Sequence, residues 1–234
     1  MSGTVSPGSR VTRGNGRLEG FLARHRARMA NRLIPDELRG GTIVDIGCGS
    51  YPYFLSTVDF ARRIGLDRFV SAGAPDAVEP GVAAAAPPGA GSATAVSPLG
   101  STPARGPDGI TLIRHDLATR TALPFEDGSI DVVTMLAVIE HLDRDVLRHT
   151  LAEIRRILRP GGIYVITTPA AWTDRFLRAL ARVGFLSAEE IEEHKEAYTH
   201  ARIADLLEHA GFDRDAMRFG TFEFGMNLWA VVRR

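Results

Sequence analysis

Thr42-Ile43-Val44-Asp45-Ile46-Gly47-Cys48-Gly49-Ser50 decides how the rest of the chain is read. Ile43, Val44 and Ile46 are apolar and β-branched, as a strand covered on both faces requires. Gly47 and Gly49 then predict a tight turn whose backbone a ligand can approach closely. Asp45 lies at the carboxyl end of the strand, where open α/β sheets bind their ligands. The turn departs from the dinucleotide fingerprint G-x-G-x-x-G, because the third glycine position holds Pro52. There is also no Tyr-x-x-x-Lys pair. A nicotinamide-dependent oxidoreductase is therefore the lesser alternative.

Outward from this stretch, the 234 residues suit one α/β domain with a single core. Lys plus Arg and Asp plus Glu number 28 each, so net charge does not point to nucleic acid. Cys48 is the only cysteine, which rules out an internal disulfide framework and any multi-cysteine zinc site. No basic side chain adjoins Cys48 in sequence to activate it, so it reads as a small packing residue. The chain shows neither a secretory signal nor a membrane span, and the expected location is cytoplasmic.

Residues 1–16 read as a disordered tail, and residues 17–234 as one domain. From Arg17 to Ile34 the apolar positions follow a helical period, with Arg17, Arg24, Arg26, Arg28 and Arg32 on much of the remainder. The preferred reading is a surface helix. Peripheral contact of residues 17–34 with an anionic lipid or substrate stays open. Tyr53 to Ala61 is expected as the first crossover helix and Arg63 to Asp67 as the second strand. Asp67 follows Gly49 by 18 residues, near the spacing at which an acid accepts hydrogen bonds from ribose hydroxyls. Residues 71–108 are dominated by Ala, Pro and Gly and read as a mobile insertion. Ile110 to Arg114 is the third strand, followed by His115-Asp116-Leu117.

Three further stretches complete the pattern. The first is Leu123-Pro124-Phe125-Glu126-Asp127-Gly128-Ser129-Ile130-Asp131-Val132-Val133, running on to Leu136-Ala137-Val138-Ile139-Glu140-His141-Leu142. The second is Leu158-Arg159-Pro160-Gly161-Gly162 before the strand Ile163 to Pro169. The third is Leu206-Leu207-Glu208-His209-Ala210-Gly211-Phe212. With the opening glycine turn, these resemble the class I S-adenosylmethionine (SAM)-dependent methyltransferases, in particular the group that includes quinone-biosynthesis enzymes. The resemblance covers about residues 39–234, apart from the insertion and an acceptor-side insert at about 170–198.

The resemblance implies a Rossmann-like, doubly wound seven-stranded sheet with an antiparallel last strand and helices on both faces. The last two strands would form a hairpin turning near Gly220. The cofactor would be SAM, leaving as S-adenosylhomocysteine. Gly47, Cys48 and Gly49 would face its methionine moiety, Asp67 the ribose and Asp116 and Leu117 the adenine, with Asp45 and Leu136 also in the cofactor site. His141 is the candidate general base, since its ordinary pKa lies near neutrality. Some quinone O-methyltransferases bind a metal through Glu-x-x-Glu-His here; the first of those positions is Ala137, so no metal is expected. The implied reaction moves a methyl group to an O or N nucleophile of a small-molecule acceptor. A SAM-binding regulatory protein without turnover is the alternative. The acceptor does not follow from these residues.

Overall fold

A computed structural model describes residues 17–70, 104–105, 109–173 and 197–234. The expected tail, most of the 71–108 insertion and residues 174–196 of the acceptor-side insert lie outside them. Eight strands form one sheet: β1 (Thr42–Ile46), β2 (Arg62–Asp67), β3 (Ala104–Arg105), β4 (Thr111–Arg114), β5 (Ile130–Leu136), β6 (Leu158–Pro169), β7 (Met217–Phe222) and β8 (Asn227–Arg233). Their order is β3-β4-β2-β1-β5-β6-β8-β7. Strands β4, β2, β1, β5 and β6 are parallel. β8 runs antiparallel between β6 and β7. The sheet thus has the seven strands expected plus β3, which pairs antiparallel with the edge strand β4.

Alternate residues of the central strands supply two separate cores. On one face Ile43, Val132 and Val165 pack with Ala27, Ala30 and Ile34 around helix α1 (Arg17–Leu33), and with Phe54 and Leu55 of α2 (Tyr53–Ser56). On the other, Val44, Val133, Tyr164 and Ile166 pack against Leu147, Leu151 and Ile154 of α3 (Arg144–Ile157) and Ile203 and Leu207 of α4 (His200–His209). A strand buried on both faces cannot alternate apolar with polar, which is why β1 is buried at all five positions. The chain leaves β1 toward β2 on one side and reaches β5 on the other, so a crevice opens at the carboxyl ends of these strands.

Three expectations change. The first crossover helix is a single turn, Tyr53–Ser56, and does not reach Ala61. The Ser56 and Thr57 hydroxyls donate to the carbonyls of Tyr53 and Phe54, each at 2.8 Å, and compete with helix propagation. The final hairpin turns at residues 223–226, not near Gly220. Gly220 lies inside β7 opposite Trp229. A Cβ there would sit 2.4 Å from the Trp229 ring, so this glycine makes room for an indole. Part of the 71–108 insertion, Ala104–Arg105, is ordered as β3. Asp131, from the stretches quoted above, and Arg156 of α3 are scaffold. Asp131 accepts the Thr42 N–H at 2.7 Å where β1 begins, and Arg156 donates to the Leu123 and Phe125 carbonyls.

Candidate active site

The first half of the site is made by the ends of β1, β2 and β4. Gly47 and Gly49 adopt φ of 80° and 73°, which bends the chain back over β2. The Gly47 N–H donates to the Leu66 carbonyl at 2.7 Å. Asp67, the last residue of β2, is buried. Its Oδ2 accepts the Gly49 N–H at 2.9 Å and its Oδ1 the Phe69 N–H at 2.8 Å. The spacing of 18 residues is therefore a direct contact between the acid and the glycine turn. The His115 N–H donates to the Asp67 carbonyl at 3.2 Å and brings the end of β4 alongside. There Asp116 is exposed and its Oδ1 accepts the Ala118 N–H at 3.0 Å, opening the turn Leu117–Thr119. Leu117 is half-buried against the core.

Asp45 behaves differently. It is buried inside the sheet and accepts the Thr134 hydroxyl of β5 at 2.5 Å. Burial pushes its carboxyl up to about 7; the Thr134 bond opposes this, and the nearby Asp67 adds to it. Asp45 thus ties β1 to β5 below the crevice. Cys48 is half-buried, and burial, then the Asp45 and Asp67 carboxylates, push its thiol well above the usual range. That environment suppresses a thiolate and fits a packing role.

The second half is made by the ends of β5, β6 and β8, roofed by α1. Leu136 is half-buried at the end of β5. Ala137 then takes φ of 57°, a left-handed conformation costing about 1 kcal/mol or more outside glycine. Its N–H donates to the Thr167 carbonyl at 2.9 Å. This reversal lays Val138 on Gly47, where a Cβ would be 2.5 Å from the Val138 Cγ2. The next turn, Ile139–His141, divides the Glu140–His141 pair. Glu140 is buried and accepts the Thr168 hydroxyl at 3.0 Å, whereas His141 is exposed.

Sequence reasoning did not single out the side chains gathered around Glu140. Arg26 of α1 has its pKa lowered by burial, against the opposing pull of the Glu140 and Glu223 carboxylates. His25 Nδ1 lies 3.1 Å from Glu223 Oε1, and Asn227 Nδ2 donates to Glu223 Oε2. His25 and Glu223 are 198 residues apart, and no spacing rule joins a first helix to a last hairpin. Among the described residues no group of three or more His, Cys, Asp or Glu is arranged to hold a metal, and no helix is long and apolar enough to cross a membrane.

Residues 15–216 match the model of a family described as methyltransferase domain. Over 101 residues, 43% of this chain, the sequence is 35% identical to a probable S-adenosylmethionine-dependent methyltransferase of Mycolicibacterium smegmatis; the match spans 35% of that protein's length. A solved complex between the Haloferax volcanii Trm112 methyltransferase activator and "the putative methyltransferase" contains a chain that superposes with a TM-score of 0.60, at 22% identity and 94% coverage of both chains. Human N-acetylserotonin methyltransferase, solved with SAM, gives 0.56 at 14% identity, covering 93% of this chain and 53% of its own. These two likenesses are of fold. With the family match over most of the length, the chain belongs to the class I SAM-dependent methyltransferases.

Proposed function

We propose that this protein transfers a methyl group from SAM to an oxygen or nitrogen nucleophile of a small-molecule acceptor. The observation that carries the reading is the buried Glu140 carboxylate, set across the Gly47–Val138 contact from the Asp67 end of the crevice.

The residues of the first half fit the cofactor. A Cβ at Gly49 would meet nothing within 4 Å, so its backbone faces open space beside Asp67. Gly47, Cys48 and Gly49 would hold the methionine moiety and Asp67 the ribose hydroxyls. The backbone N–H bonds fix the Asp67 carboxylate before any ligand arrives. Asp116 would receive the adenine amino group on the oxygen not used by Ala118, with Leu117 against the ring. Asp45 supports the turn from below through its bond to Thr134, and Leu136 lines the reacting end.

When bound, SAM supplies an electrophilic methyl carbon on a sulfonium. The task left to the chain is alignment and exclusion of water, which can be worth several kcal/mol. α1 and the hairpin turn at residues 223–226 cover the acceptor side. Glu140 accepts a hydrogen bond from the acceptor's hydroxyl or amine, orients its lone pair and takes the proton released on transfer. Arg26 of α1 faces the same carboxylate and places a positive charge beside it. His141 stands at the exposed mouth of the same turn.

Calorimetric titration with SAM, S-adenosylhomocysteine and NAD tests the first half. SAM and S-adenosylhomocysteine should bind and NAD should not, and Asp67→Ala should weaken both ligands by about tenfold or more. Binding of NAD alone would overturn the reading. Glu140→Gln tests the second half: cofactor affinity should hold while turnover of an accepted substrate falls.

A further inference from the structure

One exposed stripe of α1 is basic and begins on an aromatic ring. Phe21, Arg24, Arg28 and Arg32 are all exposed and recur at helical spacing, opposite the buried Ala27 and Ala30. From Gly20 to Leu33 the helix has four arginines and no acid. At the Phe21 end the stripe meets two further exposed aromatics from distant segments. Phe224, at the tip of the β7–β8 hairpin, is 101% exposed, and Trp172, just after β6, is 50% exposed. Specific contacts hold the three together. The Phe21 ring stacks on His25 with centroids 6.1 Å apart, and His25 pairs with Glu223. Trp172 Nε1 donates to the Gly225 carbonyl at 3.0 Å on the same turn.

The hairpin tip is locally expensive. Glu223 and Phe224 take φ of 51° and 57°, where Gly or Asn is normally chosen, and Phe224 gains nothing from burial. A bulky apolar residue held outward in a left-handed turn breaks two local rules at once, which marks a functional surface.

We propose that this rim docks the protein on an anionic phospholipid bilayer, with Phe21, Trp172 and Phe224 at headgroup depth and Arg24 and Arg28 on the lipid phosphates. Aromatic rings favour that depth, and each basic side chain near an anionic leaflet strengthens the attraction, by about fivefold in partition. Arginines and aromatics are segregated along the rim, unlike the interleaved groove that follows a nucleic-acid strand. Because α1 and the same hairpin roof the Glu140 cluster, docking would turn that side of the crevice toward the membrane. The proposal stands apart from the methyl-transfer reading and uses no acceptor.

Flotation of the full chain with vesicles tests it, comparing pure phosphatidylcholine with vesicles about one-third phosphatidylglycerol. The protein should float with the anionic vesicles only, and salt should release it. Arg24→Gln with Arg28→Gln should weaken the partition roughly thirtyfold. Phe224→Ser should weaken it about tenfold. Arg62→Gln, an exposed arginine at the opposite end of the sheet, should change it less than about twofold. All variants are surface changes and should melt with the parent protein, which checks that they fold. Equal partition onto neutral vesicles, no partition, or an undiminished Phe224→Ser would overturn the proposal. So would tighter retention by a single-stranded oligonucleotide than by the anionic vesicles when the two compete.

Discussion

The two halves of the crevice are built by different means. On the side of β1, β2 and β4, backbone N–H groups fix the Asp67 carboxylate, and glycines give the chain its path. On the side of β5, β6 and β8, side chains fix side chains: Thr168 on Glu140, Asn227 and His25 on Glu223, with Arg26 between the two acids. The first kind of site is rigid before a ligand binds and tolerates changes in its surroundings. The second concentrates buried charge and depends on each partner staying in place. A methyltransferase holds one cofactor and meets many acceptors across its family. The contrast fits a fixed half for the donor and an adjustable half for the acceptor.

The largest effect should come from the seam between the halves. Gly47→Ala must place a methyl group 2.5 Å from Val138 at φ of 80°, for a loss of about 3–5 kcal/mol in chemical unfolding. Gly49→Ala has the same backbone demand but no neighbour within 4 Å. It should cost only about 1 kcal/mol while cofactor binding by calorimetry falls sharply, since its methyl group enters the ligand's space. Equal losses of stability in the two variants would break the distinction between a packing glycine and a ligand-facing one.

Asp45 carries the next largest effect, and its sign is fixed. Its folded pKa lies near 7 against an ordinary 3.8, so between these values the native state holds a proton that the unfolded chain has lost. Stability from this group is full below about pH 4, falls as pH rises to about 7 and is level above that. At about 1.4 kcal/mol per tenfold change in proton concentration, that range corresponds to at most about 4 kcal/mol. Asp45→Asn keeps an acceptor for the Thr134 hydroxyl and removes the titration. The difference between variant and parent in urea unfolding should therefore grow in favour of the asparagine variant from about pH 4 to about pH 7 and then stay constant. A difference independent of pH would show that Asp45 ionises normally inside the sheet.

Glu140→Ala should cost about 3 kcal/mol, because it strands the Thr168 hydroxyl and removes one of the two acids facing Arg26. Combining it with Arg26→Met should recover part of that loss, as expected of coupled buried charges. Strict additivity would mean that Glu140 and Arg26 are not coupled and that α1 is held without that pair.

The first half was legible because its parts are close in sequence and bound to element ends. A β-branched strand, two glycines and an acid 18 residues later leave few folds that satisfy all three. Asp116 came from the family resemblance at the end of the next strand. Asp45 was read only as a carboxylate near a ligand; its bond to Thr134 is a matter of which strand lies beside β1, which the order of the sheet decides. Arg26 and Glu223 were invisible because each looks like a surface charge in its own segment. They meet only once β8 inserts beside β6 and brings the last hairpin under α1. The hairpin itself was misplaced because Gly220 looks like a turn residue, until Trp229 is found over it. Glycine signals a turn and a tight contact with the same letter, and only the partner tells them apart.

The smallest predicted effect separates buried Glu140 from its neighbour His141, the base expected from the sequence. His141 is exposed, so His141→Ala should change stability by less than about 0.5 kcal/mol. If proton transfer runs through Glu140, that variant should also keep turnover within about threefold of the parent while Glu140→Gln loses about a hundredfold. If the imidazole is the base, the order reverses, and His141→Ala is the variant that loses about a hundredfold. A deep loss in both variants would place the proton on a Glu140–His141 relay through bound water. The acceptor half would then reach from the buried carboxylate to the surface, and the line between its inner wall and its mouth would no longer hold.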